Sequence, residues 1–147
     1  MNVFMLQAVQ EAFKGIEKED GGPFGAVIVK EGRVIAKAHN RVLKENDPTS
    51  HAEMNAIRKA SKKLGTFDLG GCEIYSTCMP CPMCLGAIKW ANIKILYYGA
   101  TSQDADNIGF RDQIFYEKEF LEFRQIERAE CLKPFEAWSA KEDRVTY

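Results

Sequence analysis

The first seventeen residues alternate between apolar and polar positions with the period of a helix. The apolar positions are Leu6, Val9, Phe13 and Ile16. Their spacings of three and four place them on one face of an amphipathic helix, so the pattern predicts a helix over residues 3 to 17. The run Asp20-Gly21-Gly22-Pro23 then ends this helix, because glycine and proline favour turns.

A β-hairpin is predicted directly after the first helix. Residues 25 to 30 form a short run of mostly apolar side chains, which is typical of a buried strand. Glu31-Gly32 is expected to form a tight turn, and residues 33 to 38 a partner strand. The front of the chain is therefore a helix followed by two antiparallel strands.

The middle of the chain predicts a second helix and a strand-helix-strand unit. Asp47-Pro48-Thr49-Ser50 is a helix-start signal, so a helix is expected from about 49 to 63. Residues 72 to 77 and 93 to 98 are predicted strands, with a helix over 81 to 91 between them. Such a unit has parallel strands, and the start of its helix lies at the carboxyl end of the first strand, where sites in α/β sheets form.

The last third of the chain has weaker patterns. Residues 101 to 107 are polar and predict a connection, and residues 113 to 123 predict a short helix. Lys133-Pro134 is expected to interrupt the structure before a last short helix over 135 to 140. With 147 residues the chain has the length of a single domain, so we predict one α/β domain over residues 1–147.

Composition and cysteine usage narrow the class of protein. Hydrophobic residues make up 46% of the chain, which is enough for a core. No apolar run approaches the roughly 20 residues that a membrane span needs, and the N-terminus lacks the layout of a signal peptide. Five cysteines, four of them between residues 72 and 84, suit a metal better than a disulfide framework. We therefore expect a cytoplasmic protein without a membrane partner.

The charge argues against a nucleic-acid partner. The formal net charge is −1, and residues 117 to 147 hold eight acidic and six basic side chains. Proteins that bind the phosphate backbone normally have an excess of lysine and arginine. A small-molecule substrate is the expected partner, and no nucleic acid is expected.

Pro80-Cys81-Pro82-Met83-Cys84, taken together with His51, predicts a zinc site. Two cysteines three apart lie on one face of a helix, and a histidine supplies a third ligand. The fourth tetrahedral position is left to water, which is the count of a catalytic site. Cys78 is a rival for Cys81 because it is three residues away, but the proline helix start favours Cys81. Other cysteines are expected to be idle thiols.

Glu53 follows His51 by two residues and would take a proton from the water. An alternative remains, because Ser50 to Glu53 also fits a capping box, in which Glu53 only satisfies a backbone N–H. Side chains two apart inside a helix point in different directions, so His51 and Glu53 can serve one metal only in the first turn. The helix-start signal places them there, with the positive end of the helix dipole facing the site.

The motifs H-x-E and P-C-x-x-C resemble those of the cytidine and deoxycytidylate deaminase superfamily. Within it the chain resembles the bacterial guanine deaminases on the segments Gly21-Gly22-Pro23-Phe24-Gly25, Asn46-Asp47-Pro48-Thr49, Cys84-Leu85-Gly86-Ala87-Ile88, Gly109-Phe110-x-Asp112 and Pro134-Phe135-x-Ala137-Trp138. The front motifs are shared with tRNA adenosine deaminases, whereas the tail lacks their basic last helix. Met79 departs from the pattern, since related enzymes often have a glutamate there.

The resemblance implies a three-layer α-β-α fold with a five-stranded mixed sheet and one zinc ion per subunit. It also implies a homodimer in which the C-terminal segment, about 132–147, is exchanged between subunits. On the same resemblance Asn40 would hydrogen-bond a purine, and Asp112 and Tyr147 would recognise the guanine edge, with Tyr147 acting across the dimer. Phe24 and Trp90 are further candidates for the substrate pocket, although the protein core is the commoner place for each.

The implied reaction is zinc-dependent hydrolysis of guanine to xanthine and ammonia. Alternatives are guanosine, another aminopurine or a triazine as substrate, or tRNA adenosine deamination. A non-enzymatic alternative is a structural zinc module, which would need Cys78 as a fourth protein ligand.

Overall fold

The computed structural model describes residues 1–117 and 121–146, in which helices cover both faces of a mixed β-sheet. The strands are β1 (Gly25–Lys30), β2 (Arg33–His39), β3 (Cys72–Cys78) and β4 (Ile95–Ala100). The described sheet has the order β2-β1-β3-β4. β3 and β4 are parallel, as the strand-helix-strand prediction required, and the other neighbours are antiparallel.

Seven helices are present in the described part of the chain. They are α1 (Val3–Glu17), α2 (Val42–Glu45), α3 (Ala52–Leu64), α4 (Pro82–Trp90), α5 (Ser102–Asn107), α6 (Ile114–Glu117) and α7 (Arg128–Ala140). The predictions of α1, α3 and α4 are confirmed, each within three residues at its start. α2 and α5 were expected to be loop. A capping box between Thr101 and Asp104 starts α5, and this short signal is present in the sequence.

The two faces of the sheet pack against different helices. In β1, Ala26 and Ile28 face the cluster formed with α3 and α4, whereas Val27 and Val29 face the cluster beside α1. All four side chains are at most 1% exposed. Successive side chains of a strand point to opposite faces, so a strand that is apolar at every position is buried on both. This confirms the three-layer α-β-α arrangement.

The β1–β2 turn is the two-residue hairpin turn predicted from Glu31-Gly32. The φ angle is 50° at Glu31 and 72° at Gly32, so both residues adopt the left-handed conformation. Turns of this kind match the right-handed twist of the two strands, and glycine adopts the conformation without strain.

The expectation of a five-stranded sheet is wrong for the described residues, which contain four strands. Residues 121–127 form neither helix nor strand. Their charged side chains face solvent, and Arg124 pairs with Glu122 at 2.8 Å, with both side chains more than 70% exposed. The segment therefore lacks a buried face that would pair it with β4.

Two predictions for the tail are also corrected. The helix predicted over 113 to 123 is limited to α6 in the described residues, since residues 121–127 are not helical. Lys133-Pro134 does not interrupt the structure, because α7 continues through Pro134. A proline inside a helix removes one backbone hydrogen bond and bends or breaks the helix, but here the helix persists.

None of the described helices has the length and apolar character needed to cross a membrane.

A substitution at Gly25 tests how closely α1 packs on β1. A Cβ atom at this position would lie 2.0 Å from the backbone oxygen of Ala8. Gly25→Ala must therefore push α1 away from the sheet, and we expect the free energy of unfolding to fall by about 1–3 kcal/mol. Chemical denaturation followed by circular dichroism measures the change.

Gly86→Ala is the matched control, because a Cβ there meets no atom within 4 Å. Removing a helical glycine should stabilise the protein by about 0.5–1 kcal/mol. An equal loss of stability in both variants would contradict the packing argument.

Candidate active site

Two helix N-termini meet at the carboxyl end of β3. His51 is the N-cap residue of α3, and Cys81 is the N-cap residue of α4. Pro82 occupies the first turn of α4, where its missing N–H costs no hydrogen bond, and Cys84 follows in the same turn. Both helix dipoles therefore direct their positive ends at one point, which stabilises negative charge on thiolates.

The three predicted ligands form one cluster. Nδ1 of His51 lies 3.6 Å from Sγ of Cys81 and 3.5 Å from Sγ of Cys84. All three ligand atoms are within 4.8 Å of one another. Zinc bonds are about 2.3 Å long to sulfur and about 2.0–2.1 Å long to nitrogen. At the tetrahedral angle, a sulfur and a nitrogen ligand of one zinc ion therefore lie roughly 3.5 Å apart. The spacing thus fits one zinc ion held by these side chains.

The pKa values of the two thiols are shifted in opposite directions. Hydrogen bonds from Cys84 and then His51 lower the pKa of Cys81 to about 4, although burial opposes the shift. The pKa of Cys84 is raised, first by its hydrogen bond to Cys81 and then by burial. The hydrogen bond to Cys81 likewise raises the pKa of His51. A divalent cation would displace these protons, as metal binding to thiols generally does.

Glu53 faces the cluster rather than capping the helix. It lies in the first turn of α3, is 6% exposed, and accepts a hydrogen bond from Ser76 Oγ at 2.9 Å through Oε1. Its Oε2 lies 3.4 Å from Sγ of Cys84. The N-cap of α3 makes no side-chain capping bond, so the capping-box alternative is wrong. Burial raises the pKa of Glu53, which suits a group that takes up and returns a proton.

Cys78 is separate from the cluster. Its Sγ donates to the backbone oxygen of Thr101 at 3.4 Å. Burial, and then the nearby acidic side chains, raise its pKa to about 11, so the thiol stays protonated at neutral pH. Within the described residues the group that can hold a metal contains three side chains, which leaves a fourth position open.

A cavity of about 520 Å³ opens above the cluster. His51, Glu53 and Cys81 lie at its base, and three further candidates from the sequence line it. These are Phe24, Asn40 and Asp112. The volume is within the ~300–1,000 Å³ range of small-molecule pockets, so the cavity has more space than a bare purine fills.

The amide of Asn40 is oriented by the backbone. Its Oδ1 accepts a hydrogen bond from the backbone N–H of Val42 at 3.0 Å, and the backbone N–H of Asn40 donates to the backbone oxygen of Phe24 at 3.1 Å. Since Oδ1 is the acceptor, Nδ2 is the group that can donate to a ligand in the cavity.

The opposite wall of the cavity is formed by residues 110–115. Phe110 packs edge-on against Phe24, with ring centroids 4.9 Å apart. Burial, and then the charge of Cys81, raise the pKa of Asp112. The hydroxyl of Tyr116 donates to the backbone oxygen of Pro80, which ties this segment to the start of α4.

One candidate does not line the cavity, and another falls outside the described residues. Trp90 is the last residue of α4, is 68% exposed and does not line the cavity, so both the pocket and the core interpretations of Trp90 are corrected. It lies at the opposite end of α4 from the cysteines, because nine helical residues separate the two ends by about 13 Å. Tyr147 lies outside the described residues.

Sequence analysis missed several contributors to the site. Ser76 is a buried polar residue of β3, but Glu73 and Thr77 of the same strand are polar as well, so the sequence did not single it out. Phe110, Arg111 and Phe115 line the cavity without a distinguishing pattern in the sequence. They come from an irregular segment whose position depends on tertiary packing.

Comparison with known proteins agrees with this geometry. Residues 1–100 match the family described as the cytidine and deoxycytidylate deaminase zinc-binding region. The chain belongs to the cytidine and deoxycytidylate deaminase family. The metal-ligand cluster and Glu53 lie within the matched residues of this deaminase.

Individual relatives extend the similarity into the tail. The chain is 48% identical to the guanine deaminase of Bacillus subtilis over 92% of its own length and 91% of that protein. The X-ray structure of guanine deaminase from Bacillus subtilis superposes with a TM-score of 0.93 at 46% identity, over 100% of this chain and 99% of that one. A tRNA-specific adenosine deaminase of Aquifex aeolicus is 46% identical, but over 66% of this chain and 64% of that protein.

Metal analysis distinguishes the two candidate cysteines. Cys81→Ala removes one of three ligands, so the purified variant should lose its bound zinc. Cys78→Ala is the matched control and should keep it, because Cys78 is buried beside the cluster without joining it. Zinc per chain is measured by atomic emission, and the cobalt-substituted protein should show absorption typical of two thiolates. Three thiolates, or zinc lost from Cys78→Ala alone, would overturn the assignment.

Proposed function

We propose that this protein hydrolyses guanine to xanthine and ammonia with a zinc ion held by His51, Cys81 and Cys84. The observation that supports this most directly is the three-ligand cluster with Glu53 beside it at the base of an apolar-walled cavity. The similarity to guanine deaminase over nearly the whole chain supports the choice of substrate.

A zinc ion there would lower the pKa of a water molecule at its open coordination position, which supplies a nucleophile at neutral pH. Glu53 accepts the proton that this water loses. As the water oxygen bonds to C2 of guanine, Glu53 would pass this first proton to ring N3. Glu53 would then take the remaining proton of that oxygen and give it to the amino nitrogen, whose bond to C2 breaks to release ammonia and leave xanthine. Ser76 holds the Glu53 carboxylate in place through its 2.9 Å hydrogen bond.

The cavity walls would orient the purine. Asn40 donates from Nδ2 to an acceptor on the ring system, because its Oδ1 is already bonded to Val42. Asp112 accepts from the ring N–H and amino groups on the guanine edge. The ring of Phe24, held edge-on by Phe110, packs against the purine. Tyr147 would complete the recognition of the guanine edge from the partner subunit.

We further propose a homodimer with exchanged C-terminal segments. No described residue of α7 is buried, and Phe135 is 70% exposed. Ile95 and Tyr98 on β4 are also exposed, at 45% and 51%. Apolar surface of this extent normally marks an interface. A second copy of the chain would cover it, and the exchanged segment, about 132–147, would close the partner's cavity.

A cytoplasmic role in purine metabolism follows from this chemistry. The ligand thiols must stay reduced to hold zinc, and the cytoplasm keeps thiols reduced. All five cysteines are free in the described structure.

The substrate assignment is tested by ammonia release from zinc-loaded protein. The panel contains guanine, guanosine, adenine, cytosine and an anticodon stem-loop RNA. We expect turnover of guanine, with little or none of the others. Turnover of the RNA instead, with steep dependence on salt, would make the protein a tRNA deaminase. Turnover of guanosine or cytosine would keep the metal site and overturn the assignment of the base.

Glu53→Gln is the matched inactive variant in the same assay. It preserves the shape of the side chain and removes its ability to take a proton, so turnover should fall at least about a hundredfold. Zinc content should not change, because Glu53 is not among the three ligands. Retained turnover in Glu53→Gln would contradict the proton-transfer role of Glu53. A wild-type protein that binds zinc but turns over no substrate would favour a structural zinc module.

Exchange of the tail is tested by mixing two inactive proteins. One is a truncated chain ending at residue 131, which has Glu53 but no tail. The other is full-length Glu53→Gln, which has the tail but no proton acceptor. If the tail completes the partner's site, mixed dimers regain guanine turnover that neither protein has alone. Activity in the truncated chain by itself, or a monomeric full-length protein in light scattering, would contradict the proposal.

A further inference from the structure

A buried histidine beside the cavity is held between two carboxylates. Nδ1 of His39 lies 2.9 Å from Oε2 of Glu11, and Nε2 lies 2.7 Å from Oδ2 of Asp20. The three residues are 5%, 9% and 3% exposed. Each ring nitrogen of His39 thus faces one carboxylate, and the cluster links α1, the α1–β1 loop and the end of β2.

The polar contacts continue from Asp20 towards the cluster of His51, Cys81 and Cys84. Arg41 lies 3.7 Å from Asp20 and bonds Oε1 of Glu45 at 2.7 Å. Ser50 Oγ donates to Oε2 of Glu45 at 2.6 Å. Ser50 immediately precedes His51, so this chain of contacts reaches the backbone that presents the first metal ligand.

Asn55 closes the contacts into a ring. Its Nδ2 donates to Ser50 Oγ at 3.0 Å and to the backbone oxygen of His39 at 3.1 Å. The ring thus returns to the residue where it began. Asp20, His39, Ser50 and Asn55 are the buried members of the ring, whereas the side chains of Arg41 and Glu45 are 35% and 39% exposed. Buried polar groups that are satisfied in this way rigidify a region, because none can move without leaving a partner unsatisfied.

Asn40 lies inside this ring, between His39 and Arg41. The loop that follows Asp20 approaches Asn40 closely, since a Cβ at Gly21 would lie 2.1 Å from Oδ1 of Asn40. The backbone oxygen of Asp20 accepts hydrogen bonds from Leu43 and Lys44, at 3.0 and 2.9 Å. Asp20 therefore anchors both α2 and the loop on either side of the Asn40 amide.

We propose that Asp20 and His39 are positioning residues that fix the Asn40 amide for the purine, an inference that rests on the proposed function of Asn40. Neither residue lines the cavity, so both act through Asn40 and the loop at residues 21–22. Loss of either one frees the amide to rotate and weakens the binding of guanine, while the metal cluster and Glu53 remain in place.

The charges of the cluster support this arrangement. The hydrogen bond from His39, the largest effect, lowers the pKa of Asp20 against the effect of burial. Burial acts to raise the pKa of Glu11. The hydrogen bond with His39 and the charge of Lys14 together outweigh burial, so the pKa is lowered. Both carboxylates are therefore ionised at neutral pH, and charged hydrogen bonds are stronger and more directional than neutral ones.

A double-mutant cycle with Asn40 tests the inference. Asp20→Ala should raise the KM for guanine by about tenfold, the usual effect of losing a buried charged hydrogen bond, with little change in kcat. Asn40→Ala removes the amide that Asp20 is proposed to position. Adding Asp20→Ala to this variant should therefore raise KM by no more than about twofold, which is the precision of a double-mutant cycle. A purely structural role would lower kcat and zinc per chain without this dependence on Asn40.

Asp20→Asn and His39→Gln provide milder variants if Asp20→Ala fails to fold. Each keeps a side chain that can hydrogen-bond, and each should show a smaller rise in KM. Tyr75→Phe is the matched control: it removes the 3.2 Å hydrogen bond to Glu73, also from a buried side chain, on the face of the sheet away from the cavity. Its KM should equal that of the wild type.

A second measurement needs no turnover. The side-chain amide of Asn40 gives a pair of NMR signals in ¹⁵N-asparagine-labelled, zinc-loaded protein, assigned by their loss in Asn40→Ala. Asp20→Ala should shift or broaden this pair, and Tyr75→Phe should not. Unchanged signals, or multiplicative effects on KM in the cycle, would overturn the inference. Absence of guanine turnover in the wild type would overturn the proposed function instead, and the NMR result would still decide the positioning role.

Discussion

The structure depends on the meeting of two helix N-termini at one edge of the sheet. A three-ligand zinc site needs a nitrogen and two sulfurs about 3.5–4 Å apart, and the two His51–sulfur distances of 3.5 and 3.6 Å satisfy this. The ligands come from α3 and α4, which pack on the same face of the sheet. Any shift of either helix along that face would separate the ligands. The apolar packing of the alanines of α3 against β1 and β2 is therefore also what sets the geometry of the metal site.

Burial and charge are arranged differently on the two sides of the cavity. At its base, Glu53 is buried beside thiols, and burial raises its pKa, so that a proton can be taken and returned. Behind its wall, Glu11 and Asp20 are buried beside His39, and their pKa values are lowered. Carboxyl groups thus serve two purposes, because burial prevails at Glu53 and raises its pKa, whereas hydrogen bonds with His39 help to lower the pKa of Glu11 and Asp20. We attribute proton transfer to the first and positioning to the second.

The tail remains the least buried part of the chain. α7 packs no residue into the core, and the cavity is wider than a purine needs. Both features agree with our proposal that a second chain supplies the missing wall. The described residues contain no fifth strand. Residues 121–127 present charged side chains to solvent on both sides of Phe123, so they lack a buried face. Under the proposed dimer, a partner subunit would cover this segment.

The sequence by itself determined the local elements and the identity of the chemical groups. Short apolar runs bounded by turn signals predicted the four described strands, and the helical period and helix-start signals predicted α1, α3 and α4, because these signals depend on neighbouring residues. The spacing of Cys81 and Cys84, and the helix-start signal before His51, likewise selected the ligands. Only the tertiary structure decided that Glu53 accepts a hydrogen bond from Ser76 and that Trp90 faces solvent. It also brought Glu11, Asp20 and His39 together, since contacts between residues 19 and 28 positions apart leave no periodic pattern in a sequence.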